Sequence, residues 1–181
     1  MKTRCFISLE LPEEMVEDIL NVQEKLEGEN LFFGKFTKCE NIHLTLKFLG
    51  EISEEKIAEV ERRISEIDMK NFKVRLGNLG VFSKKFVRIV WAELKGPGVF
   101  ELQRKIDEVL FGLFEKERRF MSHITIARVK KVGNKRKLID FLGSVDFKRK
   151  DFEINHFSLK KSVLEREGPT YEDIFRVELG N

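Results

Sequence analysis

The chain has few of the residues that build disulfide frameworks or metal sites. Its 181 residues include only two cysteines, Cys5 and Cys39, whose positions match neither a disulfide framework nor a metal-ligand spacing. No apolar stretch approaches the roughly 18 residues of a membrane span, and residues 1–10 lack the apolar core of a secretory signal. We therefore expect an intracellular, cytoplasmic protein that uses no metal or other cofactor.

A large excess of either charge is also missing, but basic residues are concentrated locally. The formal net charge is +3, which does not by itself indicate a nucleic-acid-binding protein. Between residues 128 and 150, nine basic residues stand against two acidic ones. A basic face attracts phosphate backbones, although a solvated surface on a lysine-rich protein would have the same composition. The basic residues are Arg128, Lys130, Lys131, Lys135, Arg136, Lys137, Lys148, Arg149 and Lys150.

The hydrophobic patterns predict an α+β chain in which one arrangement occurs twice. With 41 % hydrophobic residues, the sequence can bury the core of a single domain over residues 1–181. The pattern of helix, alternating strand, helix and further strands indicates an internal duplication. We interpret it as two pseudo-symmetric lobes whose antiparallel sheets face each other, with helices on the outer faces. The predicted elements are a strand at 3–9, a helix from Pro12 to Gly28, an alternating strand at 41–50, a helix after Ser53, strands at 72–76 and 86–94, a helix after Gly96-Pro97-Gly98, an alternating strand at 122–129, a helix at 135–142 and two or three strands over 147–179.

Histidine is scarce, and two of the three histidines lie in matching motifs. His43-Leu44-Thr45-Leu46 and His123-Ile124-Thr125-Ile126 share the pattern His, apolar, Thr, apolar. Alternate side chains of a strand share a face, so each motif places an imidazole beside a hydroxyl, with its apolar residues on the opposite face. A single motif of this kind would be incidental, but a matched pair predicts one shared site.

Two facing imidazoles suit phosphoryl transfer without a metal ion. A neutral imidazole can accept a proton from an attacking water or hydroxyl, and a protonated one can donate to the leaving oxygen. Both states are accessible near neutral pH for an imidazole of ordinary pKa. Hydroxyls beside them can donate hydrogen bonds to the phosphoryl oxygens. We therefore predict His43 and His123 as catalytic residues, with Thr45 and Thr125 binding the phosphate.

These motifs and their flanks resemble the 2H phosphoesterase superfamily, and within it the RNA 2′,3′-cyclic phosphodiesterases, also called 2′-5′ RNA ligases. The resemblance extends in order over essentially the whole chain and is most specific at the first histidine motif. It is carried by Arg4-Cys5-Phe6-Ile7-Ser8-Leu9, by Glu40-Asn41 before and Lys47-Phe48-Leu49-Gly50-Glu51 after the first motif, by Ala127-Arg128 after the second, by Phe157-Ser158-Leu159 and by Gly168-Pro169-Thr170-Tyr171.

The resemblance implies a bilobal fold with a central cleft and hydrolysis of RNA 2′,3′-cyclic phosphate ends to 2′-phosphomonoesters. It implies that His43 is the proton donor and His123 the proton acceptor, that Arg128 binds phosphate and that Arg4 contacts substrate. Two positions depart from the family pattern, because Ser122 and Ser83 stand where proline is frequent. Both departures concern the approach to the cleft and remove no catalytic group.

Two other functions stay open at this stage. The same site run in reverse would join tRNA halves or other RNA ends through a 2′-5′ bond. A protein that only binds RNA ends or nucleotides would need the cleft and the basic stretch but not the acid and base pair. Nothing in the sequence requires an oligomer, so we expect a monomer.

Three further residues are weaker candidates. Lys47 follows Thr45 by two positions, so strand alternation predicts it on the face of His43 as a substrate-binding residue. A lysine at the end of a strand is, however, often simply solvated. His156 is expected to be structural or on the surface, and Trp91 to serve in packing.

Overall fold

This computed structural model describes residues 2–147, 150–165 and 168–180. The described residues form four α-helices and nine strands. Lys148 and Arg149 of the basic stretch therefore lie outside the described residues. The helices are α1 (Glu13–Gly28), α2 (Glu54–Ile64), α3 (Pro97–Val109) and α4 (Lys135–Ser144), with a short 3-10 turn at Cys39–Asn41. The strands are β1 (Lys2–Glu10), β2 (Phe32–Phe36), β3 (His43–Ser53), β4 (Phe72–Val81), β5 (Ile89–Lys95), β6 (His123–Val132), β7 (Phe152–Ile154), β8 (His156–Glu165) and β9 (Gly168–Glu178).

The strands form an antiparallel sheet with the order β7-β4-β5-β6-β3-β1-β8-β9, and β2 adds to β6. The two histidine strands, β3 and β6, are neighbours at its centre and meet at one register pair, Leu44 with Ile124. The predicted α+β class is confirmed, but the strands are continuous through this junction instead of forming two separate sheets. The predicted duplication into two lobes stays a prediction.

Helices α1 and α2 begin where the sequence provides favourable groups. Ser53 caps α2 by accepting a hydrogen bond from the Lys56 amide at 3.4 Å, as predicted. Glutamates occupy the first turns of α1 and α2, where the helix dipole favours negative charge. No helix in the described ranges is long and apolar enough to cross a membrane.

The two histidine motifs alternate between the core and the opposite face of the sheet, as predicted. Leu44, Leu46, Ile124 and Ile126 are at most 1 % exposed, and helices α1, α2 and α3 cover their side of β3 and β6. Burying side chains of this size stabilises the fold by about 1.5–3 kcal/mol each. The histidines and threonines of both motifs are half-buried on the other face.

Both histidine strands then break their alternation at the same place. The β1–β3 register shifts between Thr45 and Lys47, and the β5–β6 register shifts between Thr125 and Ala127. Such a bulge adds one residue and reverses the faces of those that follow. Lys47 and Ala127 are therefore buried, whereas the next residues, Phe48 and Arg128, are exposed.

The face predicted for Lys47 is wrong, because the bulge turns its side chain into the interior. Its ammonium pairs with the carboxylate of Asp107 on α3 and donates to the carbonyl of Glu115 at 2.7 Å. Only 5 % of the Lys47 side chain is exposed. The structure therefore places Lys47 away from the site with which it was predicted to act.

Candidate active site

His43 is held at the start of β3 by contacts to both of its ring nitrogens. Its Nδ1 lies 2.8 Å from the carbonyl oxygen of Asn41, and its Nε2 lies 3.0 Å from Oγ1 of Thr45. A carbonyl only accepts, so Nδ1 carries a proton and the hydroxyl of Thr45 donates to Nε2 when the ring is neutral. The rings of Phe6 and Tyr171 lie with their centroids 5.1 Å from that of His43.

His123 is anchored in the same way at the start of β6. Its Nδ1 lies 2.8 Å from the carbonyl oxygen of Met121, again two residues earlier in the chain. Ser122 fixes this segment by donating its hydroxyl to the Leu94 carbonyl at 2.6 Å. The position at which the family often has proline is thus held by a buried hydrogen bond. Both imidazoles use Nδ1 for the backbone, so Nε2 is the nitrogen of each ring that does not contact the backbone.

One cavity of about 520 Å³ brings the two motifs together, and His43, Thr45, His123 and Thr125 all line it. Arg4 and Arg128, both predicted from the sequence, line the same cavity. No carboxylate side chain is found among the described residues of its lining. The site is therefore suited to an anion that contacts two imidazoles and two hydroxyls.

The sequence analysis did not name as site residues two cations of this cavity, Lys35 and Lys38, or its aromatic residues, Phe6, Phe36, Phe48 and Tyr171. Lys35 and Lys38 line it from β2 and the segment that follows. Strand β2 has only five residues and no clear alternation, so nothing in the pattern predicted it. Phe48 reaches the lining because of the bulge and occupies in β3 the position that Arg128 has in β6.

Burial makes His43 difficult to protonate. Loss of solvation lowers the pKa of His43 to about 4, and electrostatic interactions with Lys160 and His123 act in the same direction. The hydrogen bond to the Asn41 carbonyl opposes this change. The imidazole is therefore neutral in the unliganded site at neutral pH, and an anion bound beside it would favour its protonated form.

A hydrogen-bonded carboxylate lies next to His43 in the sheet, since Glu10 is its register partner on β1. Burial raises the pKa of Glu10, but contacts from His156 at 3.1 Å, Lys160 at 3.0 Å and Ser158 at 2.9 Å outweigh it and lower the pKa to about 2. Glu10 therefore stays ionised and holds Lys160, whose charge acts on His43. His156 has the structural position that was expected for it.

The second histidine strand is supported at its bulge by α1 and by the residue after β2. Thr37 donates its hydroxyl to the Thr125 carbonyl at 2.8 Å. Buried Gln23 donates to the carbonyls of Thr37 and Ile126 at 2.9 and 3.0 Å. The Ile126 carbonyl also accepts from the Thr37 amide at 2.8 Å, so Gln23 and Thr37 together hold the backbone at the bulge. In the sequence, Gln23 is the only amide among the apolar residues of the buried face of α1, and this is the signal that could have identified it.

The comparisons with known proteins agree with this geometry. The family described as LigT like phosphoesterase matches residues 9–91 and 95–171. The chain belongs to the LigT-like phosphoesterase family. An RNA 2′,3′-cyclic phosphodiesterase of Methanocaldococcus jannaschii is 36 % identical over 176 residues, which are 94 % of this chain and 98 % of that protein. A protein of the same name from Methanothermobacter thermautotrophicus is 31 % identical over 98 % of this chain and all of its own length.

Solved structures show the same LigT-like fold. Escherichia coli LigT without ligand superimposes with a TM-score of 0.80 at 24 % identity, covering 99 % of both chains. The same protein in complex with 3′-AMP gives a TM-score of 0.76 at 25 % identity over the full length of both chains.

Proposed function

We propose that this LigT-like phosphoesterase hydrolyses 2′,3′-cyclic phosphate ends of RNA to 2′-phosphomonoesters, with His43 and His123 as its acid and base. One observation carries the proposal. Two imidazoles, each fixed through Nδ1 to a backbone carbonyl, line a single cavity that is rich in cations and contains no described carboxylate. The names of the relatives at 36 % and 31 % identity support the same substrate.

The reaction needs one proton transfer on each side of the phosphorus. Nε2 of His123 accepts a proton from water as the water oxygen bonds to phosphorus. The bond between phosphorus and the 3′-oxygen breaks, and Nε2 of His43 donates a proton to that oxygen. Each transfer typically contributes about 10²–10⁴-fold in rate. The 2′-oxygen keeps the phosphate, and a second turnover requires one proton to move from His123 to His43 through solvent.

The other residues of the cavity act on the charge of the phosphate. The hydroxyls of Thr45 and Thr125 donate to its non-bridging oxygens, whose charge is spread in the transition state. Arg128 and Arg4 bind the anion from the cavity wall. The low pKa of His43 means that its donor form has to be produced with substrate present, and the negative phosphate supplies the required stabilisation.

Substitution of each histidine tests the proposal. His43→Ala and His123→Ala should each lower kcat on a cyclic-phosphate-ended oligonucleotide by about 10²–10⁴-fold. His156→Ala is the matched control, because His156 does not line the cavity and its loss should have a much smaller effect. Wild-type activity should persist in a chelator. Undiminished turnover in either active-site variant would contradict the two-histidine mechanism, whereas a wild type that binds the oligonucleotide without hydrolysing it would support the interpretation as a non-catalytic RNA-end binder.

A further inference from the structure

The strongest concentration of charge outside the catalytic residues lies on three segments that the sheet brings together. Residues 32–38, 82–88 and 128–137 contain eleven lysines and arginines and no acidic residue. All eleven are exposed. We call these side chains the basic surface, and they are Lys35, Lys38, Lys84, Lys85, Arg88, Arg128, Lys130, Lys131, Lys135, Arg136 and Lys137.

Direct contacts join the three segments. Lys35 is the register partner of Arg128, so β2 lies beside the first basic residues of β6. Arg88 contacts the carbonyl of Lys130 at 3.5 Å, and Lys135 donates to the carbonyl of Lys85 at 3.3 Å. The basic surface is therefore a continuous region of the molecule and not a property of the sequence alone.

This surface is continuous with the catalytic cavity at two places. Lys35, Lys38 and Arg128 belong to the cavity lining as well as to the surface. Phe82, the first residue of the 82–88 segment, lies edge-on to His123 with ring centroids 4.9 Å apart. A ligand leaving the cavity beside either Arg128 or His123 thus meets the same charged region.

Helix α4 carries positive charge at its N-terminus, where positive charge destabilises a helix. Its first turn holds Lys135, Arg136 and Lys137 and no acid, whereas the first turns of α1 and α2 hold glutamates. Cations at a helix N-terminus are repelled by the helix dipole. Arg136 is partly compensated by Asp140 at 3.8 Å. Asn134 caps this helix by accepting from the Lys137 amide at 3.0 Å, so the three exposed cations themselves provide the favourable arrangement for a bound anion.

Exposed aromatic rings lie among the cations. Phe33 and Phe86 are 68 % and 66 % exposed, and the ammonium of Lys130 lies over the ring of Phe33 at 5.7 Å. Lysines that follow a phosphate chain together with exposed rings on which bases can stack are the features of single-stranded nucleic-acid binding.

We propose that the basic surface binds the single-stranded RNA that leads into the catalytic cavity. The inference rests on the proposed function, because a cyclic phosphate is carried by the last nucleotide and the rest of the strand must leave through its 5′-oxygen. The cavity holds the terminal nucleotide, and the phosphates that precede it contact the basic surface. The enzyme therefore acts on oligonucleotides in preference to cyclic mononucleotides.

A triple variant separates the surface from the cavity. Lys84→Ala/Lys85→Ala/Lys130→Ala removes three charges that are not part of the cavity lining. Its kcat/KM on a cyclic-phosphate-ended oligonucleotide should fall about tenfold at low salt, and the salt dependence of oligonucleotide binding should lose a slope of about 2. Its kcat/KM on the corresponding cyclic mononucleotide should equal that of the wild type.

Two further variants test whether the effect is specific to the basic surface and whether stacking contributes to binding. Lys25→Ala/Lys70→Ala/Lys73→Ala removes three exposed charges outside the three segments and should leave both substrates unaffected. Phe33→Ala/Phe86→Ala should weaken oligonucleotide binding without changing the salt slope, because stacking involves no charge.

Equal loss on both substrates, or no loss on the oligonucleotide, would overturn the proposal. Binding of an oligonucleotide that ends in a 3′-hydroxyl, followed by fluorescence anisotropy, is independent of catalysis. If the wild type hydrolyses neither cyclic substrate, the proposed function fails. The surface assignment is still decided by whether the triple variant weakens that binding.

Discussion

At the residue scale, the role proposed for His43 as proton donor depends on its protonation. Burial and neighbouring positive charge hold its pKa at about 4, while a proton donor has to be protonated. We expect NMR titration of the unliganded protein to show His43 changing charge near pH 4. Addition of a 2′-nucleotide, the product of the proposed reaction, should raise this pKa because its phosphate places negative charge in the cavity.

Lys160 provides a test of the cause of this shift. Lys160→Met removes a cation that disfavours the charged imidazole and also leaves Glu10 with less compensation. Both effects should raise the pKa of His43 toward, but not to, its ordinary value, since burial remains. An unchanged pKa in the NMR titration of Lys160→Met would contradict the electrostatic part of the explanation. Lys161→Met, on the adjacent residue, is the control.

Strand alternation predicted the active-site face only as far as the strands are regular. It placed His43 with Thr45 and His123 with Thr125 correctly, because the period of a strand is two. It failed for Lys47, where the bulge reverses the faces, and for Phe48, which enters the cavity for the same reason. A bulge depends on pairing with another strand, so a local pattern does not reveal it.

At the element scale, Gln23 couples helix α1 to the second histidine strand. Gln23→Met keeps the approximate volume but removes the donors to the Thr37 and Ile126 carbonyls. We expect a loss of about 1–3 kcal/mol in unfolding free energy, measured by chemical denaturation. Turnover should also fall, because Thr37 holds the carbonyl of Thr125. Lys25→Met on the exposed side of α1 should change stability by less than about 0.5 kcal/mol.

The buried pair of Lys47 and Asp107 couples the first histidine strand to the segment that leads to the second. Asp107 also accepts hydrogen bonds from Gln103 at 2.8 Å and from the Glu117 amide at 2.9 Å. Burial raises the pKa of Asp107, but these bonds and Lys47 outweigh it, so the pKa is lowered. Lys47 thus connects β3, α3 and the 110–122 segment before His123.

Removing one partner of this pair should be far more damaging than removing both. Lys47→Met leaves the Asp107 carboxylate buried without its cation, which should cost about 3–5 kcal/mol in unfolding free energy. Lys47→Met/Asp107→Leu should recover part of that loss, because an apolar pair needs no compensation. Chemical denaturation of both variants measures this difference. Equal stability of the two would show that Lys47 and Asp107 are not energetically coupled.

The elements themselves were largely predictable from local chemistry. A helix at Glu13–Gly28, directly after Pro12, and the cap at Ser53 appear as predicted, whereas α3 already begins at Pro97, inside the predicted break. Strand β2 was missed because its identity as a strand comes from pairing with β6 and not from its own pattern. That omission also hid Lys35 and Lys38, which enter the cavity only because β2 and the segment after it lie against β6.

At the scale of the whole molecule, three further strands of the main order lie on each side of the junction of β3 and β6, and β2 pairs with β6 outside that order. Next to the centre lie β5 and β1, then β4 and β8, then β7 and β9. The last strands of the chain, β8 and β9, therefore extend the half of the sheet that contains β3, through β1, and β4 extends the half that contains β6, through β5. The repeat of elements that the sequence patterns predicted stays a prediction, and they did not predict this strand order, because long-range pairing is not encoded in local periodicity.

Stability of the whole fold should decrease as the pH falls, with His43 responsible for the first part of the change. In the unfolded chain an imidazole binds a proton near pH 6.5, whereas folded His43 does so only near pH 4. The unfolded state therefore binds more protons between these values, and stability is lost as the pH falls through this window. The lowered pKa values of Glu10 and Asp107 act in the same direction at lower pH.

His43→Gln separates the histidine from the carboxylates, because glutamine does not titrate. Wild-type Tm should begin to fall below about pH 6.5, well before ordinary carboxyl groups are protonated. In His43→Gln the decrease should begin only near pH 5, where the carboxylates start to bind protons, and both proteins should then decline together. The same decrease in Tm between pH 6.5 and 5 in both proteins would show that burial of His43 does not control this part of the profile. A flat wild-type profile in that window would show that the imidazole is more accessible to protons than its packing between Phe6 and Tyr171 implies.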